Sequence, residues 1–425
     1  MNTTMLIEKF NSGDYDELLL DIYGDTRRID YQRNRYINAI QSFEKYYGEE
    51  DAVVFSAPGR SEICGNHTDH QHGEVLAASI NLDTIGIVRP SSDNLVKVIS
   101  EGYDEIEVSL DALELQSKEK GTTAALIKGV LAGLKERGYK TGGFRAYITS
   151  DVLIGAGLSS SAAYETLIGT IISGLYNDMS VSATEIAIIG QYAENVYFGK
   201  PCGLMDQMAC SVGNMVHVDF ANPKNPGVEK VKFDMNEYGY ILCITDTKGS
   251  HADLTEDYAA IPEEMQKVAA YFGQEILLGI TKEDIFEAIT PLREIAGDRG
   301  VLRALHFVTE NERVKKAVIA LKEKDIDKFF EMIRESGNSS YKYLQNVYSN
   351  SDVTHQNVSL ALSLSDIFLG ERGVSRVHGG GFAGTIQAFV KNDEVEAYQK
   401  HMNSVFGEGA CVDLKIRKYG GIKVI

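Results

Sequence analysis

The sequence predicts an α+β protein of two domains, and three observations carry that prediction. The chain has 425 residues, enough for two hydrophobic cores of ordinary size. Strand-like and helix-like apolar patterns are mixed along it, with no internal repeat and no low-complexity tract. Near residues 205–230 a run of helices gives way to new strands, which sets the expected boundary. The expected parts are a helical extension at 1–50, a first domain at 51–220 and a second at 221–425, with a last strand able to return to the first.

Residues 1–50 read as two amphipathic helices. Leu6, Phe10, Leu18, Leu20 and Ile22 supply the apolar positions of one; Tyr31, Tyr36, Ile37, Ile40, Phe43 and Tyr46 supply those of the other. Their expected role is to cap the domain that follows. Residues 52–57 read as a short strand ended by Pro58-Gly59, with a polar loop at 60–73. Apolar core resumes at 75–80 and again at 84–88. Val96 and Val98, then Ile106, Val108 and Leu110, alternate with polar residues and predict a half-buried hairpin. Helices are expected at 122–137, 162–176 and 182–198, the last ended by Gly199, and a strand at 142–148. Strands follow at 214–220 and 239–246, a mostly helical stretch at 251–345, strands at 374–378 and 384–390, and a last strand within 416–425.

The net charge of −19 argues against non-specific binding to nucleic acid or to an anionic membrane, while leaving room for a local anion site. Five scattered cysteines without a C-x-x-C pair fit free thiols better than a disulfide frame or a zinc site. The N-terminal stretch lacks the pattern of a signal peptide, and no apolar run reaches membrane-spanning length. The expectation is a cytoplasmic protein with no nucleic-acid or membrane partner, as a monomer or weak homodimer.

The chemistry concentrates in glycine-marked clusters at 58–73, 154–163 and 375–385. In the second, Gly155, Ala156, Gly157, Leu158, Ser159, Ser160 and Ser161 lie between a strand and a long helix. Glycines admit backbone N–H groups to an anion, serines add hydroxyl donors, and the helix start adds positive potential. The stretch is neither a Walker A loop nor a dinucleotide fingerprint, because the Gly-Lys-Ser/Thr and the third glycine are missing. The plainer alternative is a glycine turn capped by Ser159. A fourth stretch, 201–207, carries Asp206 in a glycine-flanked turn. A phosphate loop with isolated Arg60 and Asp206 suggests phosphoryl transfer, which rests on positioning and charge neutralisation. His67, His70 and His72 have no spacing that suits a metal.

Three segments together resemble the motifs of the GHMP small-molecule kinases: Ala57-Pro58-Gly59-Arg60 through Gly65-Asn66-His67-Thr68-Asp69-His70 to Gly73; Gly155 to Ala163; and Ser375-Arg376-Val377-His378-Gly379-Gly380-Gly381-Phe382-Ala383-Gly384. The first is similar to the galactokinase signature G-R-x-N-x-I-G-E-H-T-D-Y-x-x-G. The resemblance implies the two-domain GHMP kinase fold, a ribosomal protein S5 domain 2-like N-terminal domain followed by an α+β C-terminal domain, with the active site in the cleft. It implies ATP as co-substrate, Mg²⁺ as cofactor, and phosphorylation of the anomeric hydroxyl of an aldose. By the same resemblance, Arg60 and Asp206 are the catalytic pair, with Asp206 accepting or orienting the hydroxyl proton. Ser161 and Glu194 match the metal ligands. Residues 155–161 match the ATP loop, and Asn66, His67, Asp69, Gly203 and Tyr258 match sugar-contacting positions. Tyr258 follows the segment Ser250-His251-Ala252-Asp253.

The departures bear on the sugar. Asn66 stands where the signature has glutamate, Glu62 where it has asparagine, and His70 where it has tyrosine. Asn66 removes a negative charge from the region expected to meet the sugar C6. Galactose is therefore the leading substrate and a related aldose, galacturonate first, the alternative. Asn66→Glu is expected to abolish uronate use and spare galactose use. A reading of another class is a non-catalytic sugar and ATP sensor, which the complete serine loop disfavours.

Overall fold

The computed structural model describes residues 1–152, 157–249 and 254–425. The chain opens with three helices, α1 (Thr3–Ser12), α2 (Asp16–Tyr23) and α3 (Ile29–Tyr47), where the pattern predicts two. Gly13 and Gly24, both in the left-handed region, end the first two and split the predicted helix. Then come β1 (Val53–Cys64), β2 (Glu74–Ser91), β3 (Leu95–Ser100), β4 (Ile106–Ser109), α4 (Thr123–Glu136), β5 (Gly143–Ser150), α5 (Ser160–Tyr176), α6 (Ala183–Tyr192), α7 (Met205–Val212), β6 (Met215–Asp219), β7 (Gly227–Val231) and β8 (Tyr240–Asp246). The remainder is α8 (Thr255–Tyr271), α9 (Lys282–Glu287), α10 (Ile289–Glu323, broken at Gly297), α11 (Ile326–Ser339), α12 (Asn357–Leu369), β9 (Val374–His378), β10 (Thr385–Lys391), α13 (Val395–Phe406), β11 (Cys411–Leu414) and β12 (Ile422–Lys423).

Two sheets result. The first runs β12-β1-β2-β5-β3-β4, with β6 and β7 added beside β2; the second runs β11-β8-β10-β9. The two apolar runs at 75–88 are one strand, β2, 18 residues long. Its first part pairs with β6 and its last part with β5, so one strand serves two neighbours on the same side. Strand β7 lies beyond residue 220 yet continues the first sheet, and β12 pairs antiparallel with β1. The predicted hairpin forms as β3 and β4.

The largest difference from expectation concerns β1. Pro58-Gly59 reads as a stop, but the strand continues to Cys64. The register shifts between Pro58 and Arg60, so an irregularity absorbs the proline. Arg60 is therefore fixed on a strand rather than carried on a loop.

One face of the first sheet packs against α4, α5 and α6 through residues such as Phe55, Ile127, Phe144, Leu167 and Ile189. The N-terminal helices cover the other face, with Leu6, Phe10, Tyr36, Ile40 and Phe43 against Val54, Ile85, Ile87 and Tyr147. A third core joins the start of α5 and both sheets to α10 and α11, through Ala162, Leu76, Leu242, Phe389, Val314 and Phe330. The site lies along that junction.

Candidate active site

The phosphate loop rests directly on β1. A Cβ at Gly59 would lie 2.8 Å from the Leu158 carbonyl oxygen, and the Arg60 backbone N–H donates to that oxygen at 3.2 Å. Gly157 and Ser159 both have positive φ, which turns the chain sharply into α5. Ser159 does not cap the helix, contrary to the plainer alternative; its hydroxyl donates to Asp206 instead. The first turn of α5 therefore has no side-chain cap and keeps its amides available to an anion. Gly155 and Ala156, the first half of the expected cradle, lie outside the described residues, as does the segment 250–253.

Arg60 and Asp206 meet as expected. Asp206 sits in the first turn of α7, and Arg60 grips it with two bonds, Nε to Oδ1 at 2.7 Å and Nη2 to Oδ2 at 3.0 Å. The third donor, Nη1, reaches the Gly157 carbonyl and ties the ion pair to the loop. The guanidinium is 6% exposed and the carboxylate 33% exposed, so the pair presents its acidic end outward. Burial pushes the Asp206 carboxyl up, but the Arg60 charge and the bonds from Arg60 and Ser159 outweigh it and hold the group below its ordinary range.

A second corner gathers oxygen donors. Ser161 Oγ donates to Glu194 Oε1 at 3.3 Å, and Lys200 Nζ donates to the same oxygen at 3.2 Å. Glu194 projects from a π-helical turn at 193–198 that continues α6. Gln207 Nε2 spans two carboxyl groups, donating to Glu194 Oε2 at 2.8 Å and Glu165 Oε2 at 3.1 Å. Glu165 is buried, its Oε1 has no partner among the described residues, and burial followed by the Glu194 charge pushes its carboxyl well up. Among the described residues no group of three or more His, Cys, Asp or Glu forms a metal cage. One hydroxyl and one carboxylate beside an anion loop suit a hard cation that completes its shell with phosphate oxygens and water, as Mg²⁺ does.

The residues expected to contact the sugar include three that meet the glycine turn at 379–381. Asn66 Nδ2 donates to the Gly379 carbonyl at 2.7 Å, His67 Nε2 bonds Gly380 at 3.0 Å, and the Tyr258 hydroxyl donates to Gly381 at 2.9 Å. The third cluster also meets the second: a Cβ at Gly157 would lie 3.2 Å from Thr385 Oγ1 and 3.5 Å from His378 Nδ1. Asp69 packs against Gly203 so closely that a Cβ there would lie 1.6 Å from Asp69 Oδ2. Burial, then the charge of Asp206, pushes the Asp69 carboxyl up to about 6.

Asn66 differs from expectation. It is fully buried and its amide is saturated. Nδ2 donates to Glu62 Oε1 at 2.8 Å as well as to Gly379, while Oδ1 accepts from Asn346 at 2.7 Å and Ser340 at 3.3 Å. No bonding capacity remains for a sugar 6-hydroxyl. Its role here is to bind the first and third clusters together.

Arg60, Asp206 and Ser159 thus converge beside Gly157, Ser161 meets Glu194, His67 and Tyr258 bond the glycine turn, and Asp69 lies against Gly203. Sequence reasoning missed Glu165, Gln207 and Asn346. Glu165 was legible, since it lies four residues after Ser161 and so one turn along the same helix face. Asn346, far from every motif, carried no signal.

Comparison with known proteins identifies the family. Residues 41–90 match the family profile described as the galactokinase galactose-binding signature, and residues 125–214 match the GHMP kinases N terminal domain. A galactokinase of Glaesserella parasuis serovar 5 is 31% identical over 360 residues, covering 84% of this chain and 90% of the relative. A galactokinase of Clostridium tetani is 29% identical, covering 89% and 95%. The crystal structure of Lactococcus lactis galactokinase complexed with galactose superposes with a TM-score of 0.75 at 26% identity, covering 90% of this chain and 98% of that one. A mevalonate kinase structure at 15% identity, with a TM-score of 0.60, shares the fold. The chain belongs to the galactokinase family of the GHMP kinases.

Proposed function

We propose that the protein transfers the γ-phosphoryl group of ATP to the anomeric hydroxyl of galactose, giving galactose 1-phosphate and ADP. The observation that carries this reading is the two-bond grip of Arg60 on Asp206, tied by Nη1 to Gly157 of the phosphate loop. It sets a cation and a carboxylate side by side where a hydroxyl would meet the transferring phosphoryl group. The new bond forms between the sugar O1 and phosphorus, the bond from phosphorus to the bridging oxygen of ADP breaks, and the hydroxyl proton passes to Asp206 and on to solvent.

A carboxylate held below its ordinary range is a weak base for an alcohol. It suffices where the transition state is loose and the proton moves late. Asp206 then orients O1 first and accepts the proton afterwards. Arg60 neutralises charge building on the phosphoryl oxygens. The uncapped amides of α5 and the serines at 159–161 hold the phosphates. Ser161 and Glu194 would hold Mg²⁺, which when bound neutralises phosphate charge. Asp69 would accept a hydrogen bond from a sugar hydroxyl, while His67 and Tyr258 line the sugar side. The saturated amide of Asn66 offers no preference for a 6-carboxylate, so galactose is retained over galacturonate.

The test is ADP release with Mg-ATP against galactose, galacturonate, N-acetylgalactosamine, glucose and arabinose. Turnover is expected with galactose and is expected to fall at least 100-fold in Asp206→Asn. Preference for another sugar, or full activity in Asp206→Asn, would overturn the assignment.

A further inference from the structure

A cavity of about 370 Å³ lies outside the site described above, between α11 and its π-helical continuation on one side and α12 on the other, with β9 as its floor. Its charge is opposite to that of the molecule. The chain carries a net −19, yet Arg334, Lys342 and Arg376, the last also paired with Glu62, line this cavity, and among the described residues lining it Asp366 is the one carboxylate. Asp366 is occupied by the Ser375 hydroxyl, which donates to it at 2.7 Å.

The polar lining is incompletely satisfied. Arg376 is 1% exposed, and its Nε has no partner among the described residues. Ser359, also buried, has a hydroxyl without a partner among the described residues. Leaving a buried donor unmade is costly, and one on the β9 floor with another on the α12 wall point to an acceptor that completes them. Three cationic side chains from different elements, with hydroxyl and amide donors between them, are the chemistry of phosphate recognition.

The cavity is also wired to the sugar side. Arg376 donates from Nη1 to the Ile63 carbonyl on β1 at 2.9 Å and from Nη2 to Glu62 Oε1 at 3.2 Å. Glu62 accepts the Asn66 amide, which in turn holds the Gly379 carbonyl. We infer that this cavity is a second site, for a small phosphomonoester or phosphate anion, and that its occupancy alters sugar affinity through Arg376, Glu62 and Asn66. An anion on Arg376 competes with Glu62 for the guanidinium and loosens the strut that holds the glycine turn.

The chain has no tryptophan, so Tyr341→Trp on the cavity wall gives a single local reporter. Inorganic phosphate and glycerol phosphate are titrated against its emission, and galactose KM is measured with and without each. The expected result is a saturable change, weakened at least tenfold by Arg334→Ala with Lys342→Ala, together with a KM shift of twofold or more that the same double variant abolishes. These two residues touch none of the reacting groups, so basal kcat is expected to be unchanged. Absence of a saturable change, or one undiminished in the double variant, overturns the site. Saturable binding that leaves KM unmoved overturns the coupling. Neither outcome touches the assignment of the kinase reaction, which the ADP-release assay decides separately.

Discussion

Asn66 donates its amide to Glu62 at 2.8 Å in a place where both residues are essentially without solvent exposure. In the signature that this stretch resembles, the asparagine comes first and the glutamate four residues later; here the two have changed places. The carboxylate has moved onto β1, where Arg376 reaches it, and burial pushes it up to about 7 against the pull of Arg376 and Arg60. Asn66→Glu alone therefore does more than restore a charge near the sugar. It sets two buried carboxyl groups against one another and removes the donor to Gly379. The single variant is expected to lose roughly 2–4 kcal/mol of stability, and the exchange Glu62→Asn with Asn66→Glu to recover at least half of it. Denaturant unfolding of the three proteins checks this, and a single variant as stable as the parent would refute the pairing.

Asp69 gives a pH prediction with two opposite signs. Its carboxyl lies at about 6 in the folded chain against an ordinary 3.8, because burial and then the Asp206 charge disfavour ionisation. A raised acid favours the folded state at low pH. That advantage is lost as pH rises from about 4 through 6, and the cost is complete above 6. Asp69→Asn is expected to stabilise the protein by roughly 1–3 kcal/mol at pH 8 and to change little at pH 4. Sugar binding runs the other way, since the ionised form is the acceptor. Galactose KM is expected to fall as pH rises through 6 in the parent and to show no such limb in the variant. Unfolding curves and KM at the two pH values decide both halves.

The motifs made most of the site legible before the fold was known, because phosphate and carboxylate chemistry depends on short runs of glycine, serine and charged residues. Arg60 meets Asp206 and Ser161 meets Glu194, the two pairs that the resemblance to the GHMP kinases implies. Most strand positions were legible as short apolar runs, and the β3–β4 hairpin from alternation. Two things were not. Pro58-Gly59 carries the local signal of a turn, and only the register irregularity in the β1–β2 pairing lets a strand pass through it. Asn66 looks like a ligand-facing residue by its place in the signature. Its true neighbours, Asn346 and Ser340, arrive from nearly 280 positions away and leave no trace in local sequence.

Asp83 holds the two ends of the chain to the first sheet. It is 0% exposed and accepts from Arg35 at 2.6 Å, Arg417 at 2.8 Å, Tyr23 at 2.8 Å and the Ser56 hydroxyl. Arg35 belongs to α3, and Arg417 lies just before β12. Burial raises the Asp83 carboxyl, but the two guanidinium charges and the hydrogen bonds outweigh it and leave the group lowered. Its contribution is therefore present at neutral pH and lost as pH falls below the ordinary carboxylate value. Asp83→Ala takes the carboxylate from buried Arg417 and leaves Arg35 only its pairing with Asp151 at 3.3 Å, and is expected to cost about 3–5 kcal/mol. The sharper check is limited proteolysis: cleavage in the first 50 residues should accelerate in Asp83→Ala before the rest of the fold is lost.

Glu194 and Gln207 make the last prediction, which concerns the cation. Gln207 donates to Glu194 Oε2, leaving Oε1 to face Ser161 and Lys200. If Oε1 and the Ser161 hydroxyl hold Mg²⁺, then Gln207 acts behind them by fixing the carboxylate's rotation, as an outer partner of a metal ligand does. Glu194→Gln is expected to raise the Mg²⁺ concentration for half-maximal ADP release by 100-fold or more. Gln207→Met, which keeps the side chain's length and removes the donor, is expected to raise it about 10-fold. Saturating Mg²⁺ should then restore most of kcat in the Gln207 variant and little in the Glu194 variant. A merely structural role predicts the reverse pattern, with unchanged Mg²⁺ dependence and lowered thermal stability in both. Titrating Mg²⁺ at fixed ATP and galactose, beside a melting curve for each variant, separates the two.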